Sequence, residues 1–277
     1  MNAKYVDLHT HSCYSDGTMT PEELLAAAQE RGVGLLAITD HDVLEGSRIL
    51  QGLANKKNVR CISGVELDAI ELGINFHILG YGMQLEDLRF SNFCRENRMR
   101  LEEVNRKLIL KMELDGAPVS LSEYDAYSYI PRLGGWTALH YFRSKGLADT
   151  LIGGLALYGK YNHSYTCVDF PGISEVAAHI HEAGGVAILA HPGEVIAQEN
   201  MESFRTTLLN AMAKGLDGIE CHYAFHSQEV TSLCLSLCQE HKWIVTCGSD
   251  CHGGFGDSEV GQLSITLEDL PTLARLI

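Results

Sequence analysis

Lys4-Tyr5-Val6-Asp7-Leu8-His9-Thr10-His11 reads as a short strand, Lys4 to Leu8, that runs straight into two histidines. In an extended segment residues i and i+2 face the same side, so the rings of His9 and His11 converge. A helix follows. Thr20, Pro21 and Glu23 fit its N-cap, first and third positions, and it stops at Gly32. Leu35 to Ile38 is apolar throughout, as a strand covered on both faces must be. A helix from about Glu45 to Asn55 and strands at Val59–Ile62 and Ile74–Leu79 continue the alternation. It resumes near Phe170. Pro171, Gly172 and Ser174 start a helix through Glu182, and strands are expected at Val186–Ala190, Gly218–Glu220 and Trp243–Thr246. Between these strands lie helices at about Glu199–Ala213 and Ser227–Glu240. Repeated βα units with short links give an α/β fold, either a barrel or an open doubly wound sheet.

The middle of the chain differs. Leu85 to Leu114 is long and helical with a dense charged face, and further helical pieces are expected at 120–130, 136–146 and 149–158. This gives three blocks: 1–85, a helical insert at 86–167, and 168–277. The insert carries eleven Lys or Arg against ten Asp or Glu; the rest carries ten against twenty-six. The net charge of −15 argues against binding long duplex DNA. Nine cysteines without zinc-finger spacing are expected to be buried reduced thiols of a cytoplasmic protein. The N-terminus has no signal-peptide core, and no apolar run approaches the roughly 20 residues that span a bilayer.

Metal-capable residues gather at strand ends. The first strand gives His9, His11 and then Asp16. The second gives Asp40-His41-Asp42, the third Glu66, a later one His191, and the last Asp250 and His252, again i and i+2. His77 lies inside the Ile74–Leu79 strand. In a barrel such ends converge on one face. Imidazole and carboxylate ligands suit manganese, zinc or iron, and a set this rich could hold more than one ion. His163, His179, His181, His226 and His241 read as structural, and His222 as a residue of the pocket rim. Gly253-Gly254-Phe255-Gly256 is a loop beside the site, with no lysine-serine pair to make it a phosphate loop.

Asp7-Leu8-His9-Thr10-His11-Ser12, Ser15-Asp16-Gly17, Thr39-Asp40-His41-Asp42, Gly64-Val65-Glu66, Ala190-His191-Pro192 and Ser249-Asp250-Cys251-His252 together resemble the polymerase and histidinol phosphatase (PHP) superfamily. The resemblance implies a distorted (β/α)7 barrel with a trinuclear metal site. Carried over, one ion takes His9, His11, Glu66 and Asp250. A second shares Glu66 and adds His77 and His191. A third takes Asp16, His41 and His252. Asp40 or Asp42 is then expected to orient His41. The helical insert resembles the branch of stand-alone nucleotide phosphoesterases, which includes 3′,5′-nucleoside bisphosphate phosphatases and 5′-to-3′ exoribonucleases. Gly134-Gly135-Trp136-Thr137-Ala138-Leu139-His140 departs from a Gly-Arg-Pro-His-type segment of that branch, with Trp136 near the place of the arginine.

The expected function is therefore metal-dependent hydrolysis of a phosphomonoester, of a nucleotide or a similar small phosphorylated metabolite, by metal-activated water. Two or three divalent ions are the cofactors. Glu66 and Asp250 stand at the catalytic centre, with His222 a candidate acid. Arg95, Arg98, Arg100, Arg132, Trp136 and His140 are candidates for substrate contact from the insert, with Arg143 and Tyr141 behind them. Rival readings are exoribonuclease action on short RNA, metal-dependent amide hydrolysis, and a non-catalytic PHP binding module.

Overall fold

The helix start expected at Thr20 forms as a full capping box. The Thr20 hydroxyl accepts the Glu23 amide at 3.3 Å, and the Glu23 carboxylate accepts the Thr20 amide at 2.8 Å. The structure, a computed structural model, describes residues 4–54 and 59–275. Its first block runs β1 (Tyr5–Asp7), α1 (Pro21–Glu30), β2 (Val33–Leu36), α2 (Glu45–Ala54), β3 (Arg60–Cys61), β4 (Gly64–Glu71) and β5 (Ile74–Tyr81). The expected end of α2 at Asn55 lies outside the described residues. The insert holds α3 (Leu88–Leu114), α4 (Leu121–Ala126), α5 (Thr137–Ser144) and α6 (Ala156–Lys160). The last block runs α7 (Ile173–Glu182), β6 (Val186–Leu189), α8 (Pro192–Val195), α9 (Met201–Met212), β7 (Gly218–Tyr223), α10 (Gln228–His241) and β8 (Ile244–Gly248).

The strands do not form one closed sheet. Among the described residues β1-β2-β3 make a parallel three-stranded sheet and β4-β5-β6-β7-β8 a five-stranded mixed one. Isolated bridges Thr10–Cys251 and His41–Glu66 join the two where the metal-capable residues lie. The departure from a simple βα repeat has a local cause. Sequence reading placed Glu66 just past a Val59–Ile62 strand. Instead Glu66 lies within β4, an eight-residue strand paired antiparallel with β5. The hairpin turns at Leu72-Gly73, with φ of +51° and +81°. Two positive φ values are what a two-residue hairpin with right-handed strand twist requires. Leucine in the first of these places hides the turn from pattern reading.

The insert is a helical layer with its own core. Buried positions of α3 recur every three or four residues, from Phe90 and Phe93 to Leu108 and Met112. Its C-terminal part packs with Tyr141, Phe142 and Leu157. Two contacts dock it on the strand ends. Asn97, fully buried on α3, donates to Asp42 Oδ1 at 2.7 Å and to the Asp68 carbonyl at 3.0 Å. Gly135 donates its amide to the Asp16 carbonyl at 2.7 Å. A Cβ at neighbouring Gly134 (φ +70°) would stand 2.9 Å from that same carbonyl and 2.6 Å from Phe255 Cβ, so only glycine fits.

All nine cysteines are free thiols, and among the described residues no helix is long and apolar enough to cross a membrane. Replacing Asn97 with Ala strands buried acceptors on Asp42 and Asp68. We expect a loss of about 1–3 kcal/mol in urea unfolding of the metal-free protein. An unchanged midpoint would show that the contact does not anchor the insert.

Candidate metal centre

Seven of the nine side chains arrive from the segments that follow strands, and Glu66 and His77 from within β4 and β5. His9 and His11 extend β1, held by amide bonds Leu8 to Cys247 and His11 to Cys251. Asp16 sits in a loop fixed by Asp40, whose carboxylate accepts the Ser12 amide, the Ser12 hydroxyl and the Ser15 hydroxyl at 2.6–2.7 Å. His41 follows β2, Glu66 and His77 face each other from β4 and β5, His191 follows β6, and Asp250 and His252 follow β8. All nine candidates meet in one place.

Glu66 is the centre of the cluster. It is 1% exposed. Its Oε1 lies 2.9 Å from His77 Nδ1 and 3.1 Å from His191 Nε2. Its Oε2 lies 3.2 Å from His11, 3.3 Å from His9 and 3.4 Å from His41. Asp250 Oδ1 is 3.0 Å from His11 Nε2 and 3.3 Å from His9 Nε2. Asp16 Oδ2 is 3.2 Å from His252. Four overlapping groups have ligand atoms close enough to share an ion: His11/Asp16/His41/His252, His9/His191/Asp250, His9/His11/Glu66 and His41/Glu66/His77.

These residues fit divalent ions on a second count. Nδ1 of His11, His41 and His191, and Oδ1 of Asp250, are buried without a hydrogen-bond partner. Orphaned buried polar atoms are rare and costly unless something else completes them. His9 and His11 even bring their Nε2 atoms to 3.1 Å of each other, an arrangement that a shared proton or a cation relieves. The set suits two or three divalent ions.

Without ions the carboxylates hold protons on the rings. Burial disfavours a charged His11, but Asp250 and Glu66 outweigh it and raise its pKa to about 10. Glu66 and Asp68 likewise overcome burial at His77 and raise it to about 9. His9 is pushed well up by Glu220, Asp250 and Glu66 against the same burial. At His41 burial wins over Glu66 and Asp16 and lowers the pKa to about 4. Burial opposes ionisation of Glu66, yet its histidine neighbours, led by His41, keep it well below the usual range.

Three residues here have left-handed backbone: Asp42 (φ +55°), His191 (φ +21°) and Asp250 (φ +53°). Such conformations cost of order 1–3 kcal/mol each and cluster at functional sites. Each is held by its own amide, donated to the Glu66 carbonyl at 2.8 Å, to Glu220 Oε2 at 2.9 Å and to the His9 carbonyl at 2.8 Å respectively.

Several supporting residues escaped sequence reading. Glu220, fully buried in β7, lies 3.0 Å from His9 Nδ1 and fixes that ring as well as the turn at His191. Gly248 leaves room for this pair: a Cβ there would stand 2.1 Å from His9 Cβ and 2.6 Å from Glu220 Oε1. Asp7 accepts the Ser249 amide and hydroxyl and the Gly261 amide at 2.7–2.9 Å, tying the end of β1 to the residues after β8. The one visible signal was an acid at a strand end, which Glu220 and Asp7 share with the ligands. Asp40 and Asp42 do not orient His41 as expected. Asp40 binds the serines of the Asp16 loop, and Asp42 binds Asn97.

The substrate candidates separate. The Arg98 guanidinium stacks 4.7 Å over Trp136, whose ring is 5.4 Å from His41. Arg98 Nη1 is buried without a partner, while Nη2 is 3.2 Å from Glu102. Arg95 is exposed on the outer side of α3, and Arg100 is half-buried. Arg132 pairs with Glu23 of α1 at 2.8 Å. His140 is buried, its Nε2 bonded to the Gly134 carbonyl and its ring stacked on Tyr129. Tyr141 is buried in the insert core, and Arg143 lines an outer groove with Asp149 and Phe255. His222 is half-buried and faces Asp269.

The PHP domain family model matches residues 7–244. The chain belongs to the PHP family. Over 90% of its length this PHP protein is 29% identical to phosphoribosyl 1,2-cyclic phosphate 1,2-diphosphodiesterase of Eggerthella lenta, covering 95% of that protein. Over 95% it is 27% identical to a 5′-3′ exoribonuclease of Haemophilus influenzae (94% covered). Over 98% it is 27% identical to 3′,5′-nucleoside bisphosphate phosphatase of Chromobacterium violaceum (94% covered). In fold it resembles a solved chain from Bifidobacterium adolescentis, with TM-score 0.78, 24% identity and coverage of 99% and 96%. A Chromobacterium violaceum amidohydrolase solved with bound sulfate gives TM-score 0.75, 23% identity and coverage of 99% and 97%. Family and geometry together support a metal-binding PHP hydrolase suited to phosphoester-type chemistry.

In the metal-free protein His11 and His77 keep protons up to about pH 10 and about 9, whereas the unfolded side chains lose them near 6.5. The folded state therefore binds more protons through this window, and its stability must fall as pH rises from about 6.5 to 10. Melting curves of chelator-treated protein across that range test the sign. Saturation with a divalent ion, which takes the place of those protons, should flatten the alkaline decline.

Proposed function

We propose that the protein hydrolyses a phosphomonoester of a nucleotide or a similarly small phosphorylated metabolite at this centre. The observation that carries the reading is the single buried cluster of nine His, Asp and Glu side chains with orphaned atoms, beside an insert whose Trp136 lies against His41 and carries Arg98 on its ring. In the partition that the family resemblance implies, one ion takes His9, His11, Glu66 and Asp250, a second Glu66, His77 and His191, and a third Asp16, His41 and His252. The two oxygens of Glu66 already face the ligands of the first two sets separately. Asp16, Glu66 and Asp250 cancel only half the charge of three divalent ions. The remaining positive charge favours a phosphate dianion.

Bound divalent ions would supply Lewis acidity toward the phosphoryl oxygens and a water acidified to near neutral pKa. The chain's own residues do the rest. Glu220 holds His9 in one tautomer and orientation. Arg98 places a guanidinium at the mouth, kept planar against Trp136, where it can take a phosphate oxygen. Trp136 and His41 wall that side from solvent. The named relatives differ in substrate, from a cyclic phosphate to RNA to a bisphosphate, but all three names describe cleavage of phosphorus–oxygen bonds. The insert's near-neutral charge beside an acidic body supports a small anionic substrate over a long nucleic acid.

The deciding measurement is phosphate release from a panel of nucleoside monophosphates and bisphosphates, a cyclic phosphodiester and short RNA. Activity should require manganese or zinc, vanish on chelation, and be greatest on a monoester. A metal-loaded protein inert across the panel overturns the reaction class, and preference for the cyclic diester or RNA overturns the substrate. Asp250→Asn should lower kcat by more than the about tenfold to a hundredfold that loss of a residue supporting a ligand costs. Arg98→Ala should raise KM about tenfold or more, the worth of one charge-assisted hydrogen bond, with a smaller effect on kcat. If KM is unmoved, the insert does not hold the phosphate.

A further inference from the structure

Strand β7 carries an irregularity exactly one residue long beside the metal cluster, at Cys221. Gly218, Ile219 and Glu220 pair with Ile244, Val245 and Thr246, but the next pairs are His222 with Cys247 and Tyr223 with Gly248. Cys221 is therefore the extra residue of a bulge. In a regular strand Glu220 and His222 would share a face and Tyr223 would point away. The bulge reverses that parity. Glu220 and Tyr223 now both face the cluster, while Cys221 packs into the core with its sulfur 3.6 Å from that of Cys238.

The bulge is pinned from outside the strand. His226 has its Nδ1 3.1 Å from the Cys221 carbonyl and its Nε2 3.1 Å from the Gly193 amide. The Gly193 amide can only donate, so Nε2 accepts and Nδ1 carries the proton given to the bulged carbonyl. One ring thus ties the extra residue of β7 to the turn that carries His191. Tyr223 stacks edge-on against His226 and Phe225, lies 5.2 Å from the His191 ring, and is 7% exposed.

The Tyr223 hydroxyl donates to Asp250 Oδ2 at 3.0 Å. Asp250 Oδ1, pointing at His9 and His11, has no hydrogen-bond partner. The backbone of Asp250 is already fixed, its amide on the His9 carbonyl and its carbonyl accepting the Ser258 hydroxyl at 2.8 Å. Rotation of the carboxylate is the freedom that remains, and the phenol removes it. We propose that Tyr223 is a positioning residue that occupies one oxygen of Asp250 and so presents the other, singly, to the metal centre. The proposal rests on reading the cluster as a metal centre, and it assigns a purpose to the bulge that neither the ligands nor the core requires.

Tyr223→Phe removes the hydroxyl and keeps the ring and its packing. Affinity for manganese and zinc is measured by chelator competition on wild type and variant, alongside melting of both proteins free of metal. We expect the tightest-bound ion to lose about tenfold to a hundredfold in affinity, the range for a residue that orients a ligand. The metal-free melting temperature should fall by only a few degrees, as for the loss of one hydrogen bond. Equal affinity in the two proteins overturns the proposal, as does a drop in metal-free stability that accounts for the whole loss. If wild type itself binds neither ion, the metal-centre reading fails instead, so the two failures are distinct. A second variant, His226→Gln, releases the bulge while leaving the phenol in place. It should weaken the ions in wild type and add little to Tyr223→Phe, whereas full additivity would show that the bulge does not act through Tyr223.

Discussion

A single carboxylate, Glu66, lies within 3.4 Å of nitrogen atoms on five imidazole rings. An isolated buried carboxylate costs several kcal/mol in lost hydration, and only close countercharge offsets it. Protonated His9, His11 and His77 supply that countercharge in the absence of metal, and a cation shared with the surrounding rings would supply it otherwise. This requirement shapes the fold around it. Glu66 is the third residue of β4, whose antiparallel hairpin with β5 interrupts a plain βα repeat. His41 is bridged to Glu66 across the gap between the two sheets. The break in the sheet thus falls where the cluster itself supplies cross-links.

Around the nine ligands lies a layer of further acids, each with a defined partner. Asp7 holds the β8 end, Asp40 the Asp16 loop, Glu220 the rings and turn at His9 and His191, and Asp42 the insert helix. Their burial accounts for part of the strongly acidic character of the body. These acids are structural counterparts of the histidines, not a solvated face. The three left-handed residues fit the same scheme. Asp42, His191 and Asp250 each hold a costly backbone conformation, and each is anchored by an amide bond to another member of the site. Removing one anchor therefore releases strain into the ligands it was holding.

The ligands were legible because strand periodicity is simple. His9 with His11 and Asp250 with His252 follow from i and i+2 in extended chain, and strand ends in α/β folds converge. The supporting layer was not legible, because a buried Asp7 or Glu220 has the same sequence signature as an exposed acid. Two breaks in periodicity hid the rest. Leu72 occupies a turn position usually given to asparagine or glycine, so β4 was merged into its neighbours. The extra residue at Cys221 inverts the facing of everything after it, so parity pointed to His222 where the chain delivers Tyr223. On α3 the difficulty was helical phase. Arg95, Arg98 and Arg100 are alike in composition, but successive residues turn by about 100°. Only Arg98, beside buried Asn97, stacks on Trp136.

The insert and the metal centre are physically one unit, and this bears on how substrate preference can change within such a fold. Asn97 bonds Asp42, whose amide in turn bonds Glu66. Gly135 bonds the carbonyl of Asp16, and Trp136 lies against His41. The insert therefore touches one proposed ion set directly, that of Asp16, His41 and His252, and touches it twice; it reaches Glu66, shared by the other two sets, only through Asp42. A substitution at position 136 alters the wall that meets substrate and, through His41, the ligand geometry beneath it. His9 and Asp250 of the first set are instead braced by Glu220 and Tyr223 from β7. Variation in the insert can thus alter the surface at Trp136 and the cluster of Asp16, His41 and His252 together while the His9–Asp250 pair stays braced from β7. That division lets the wall at Trp136 differ without disturbing the bracing of Asp250.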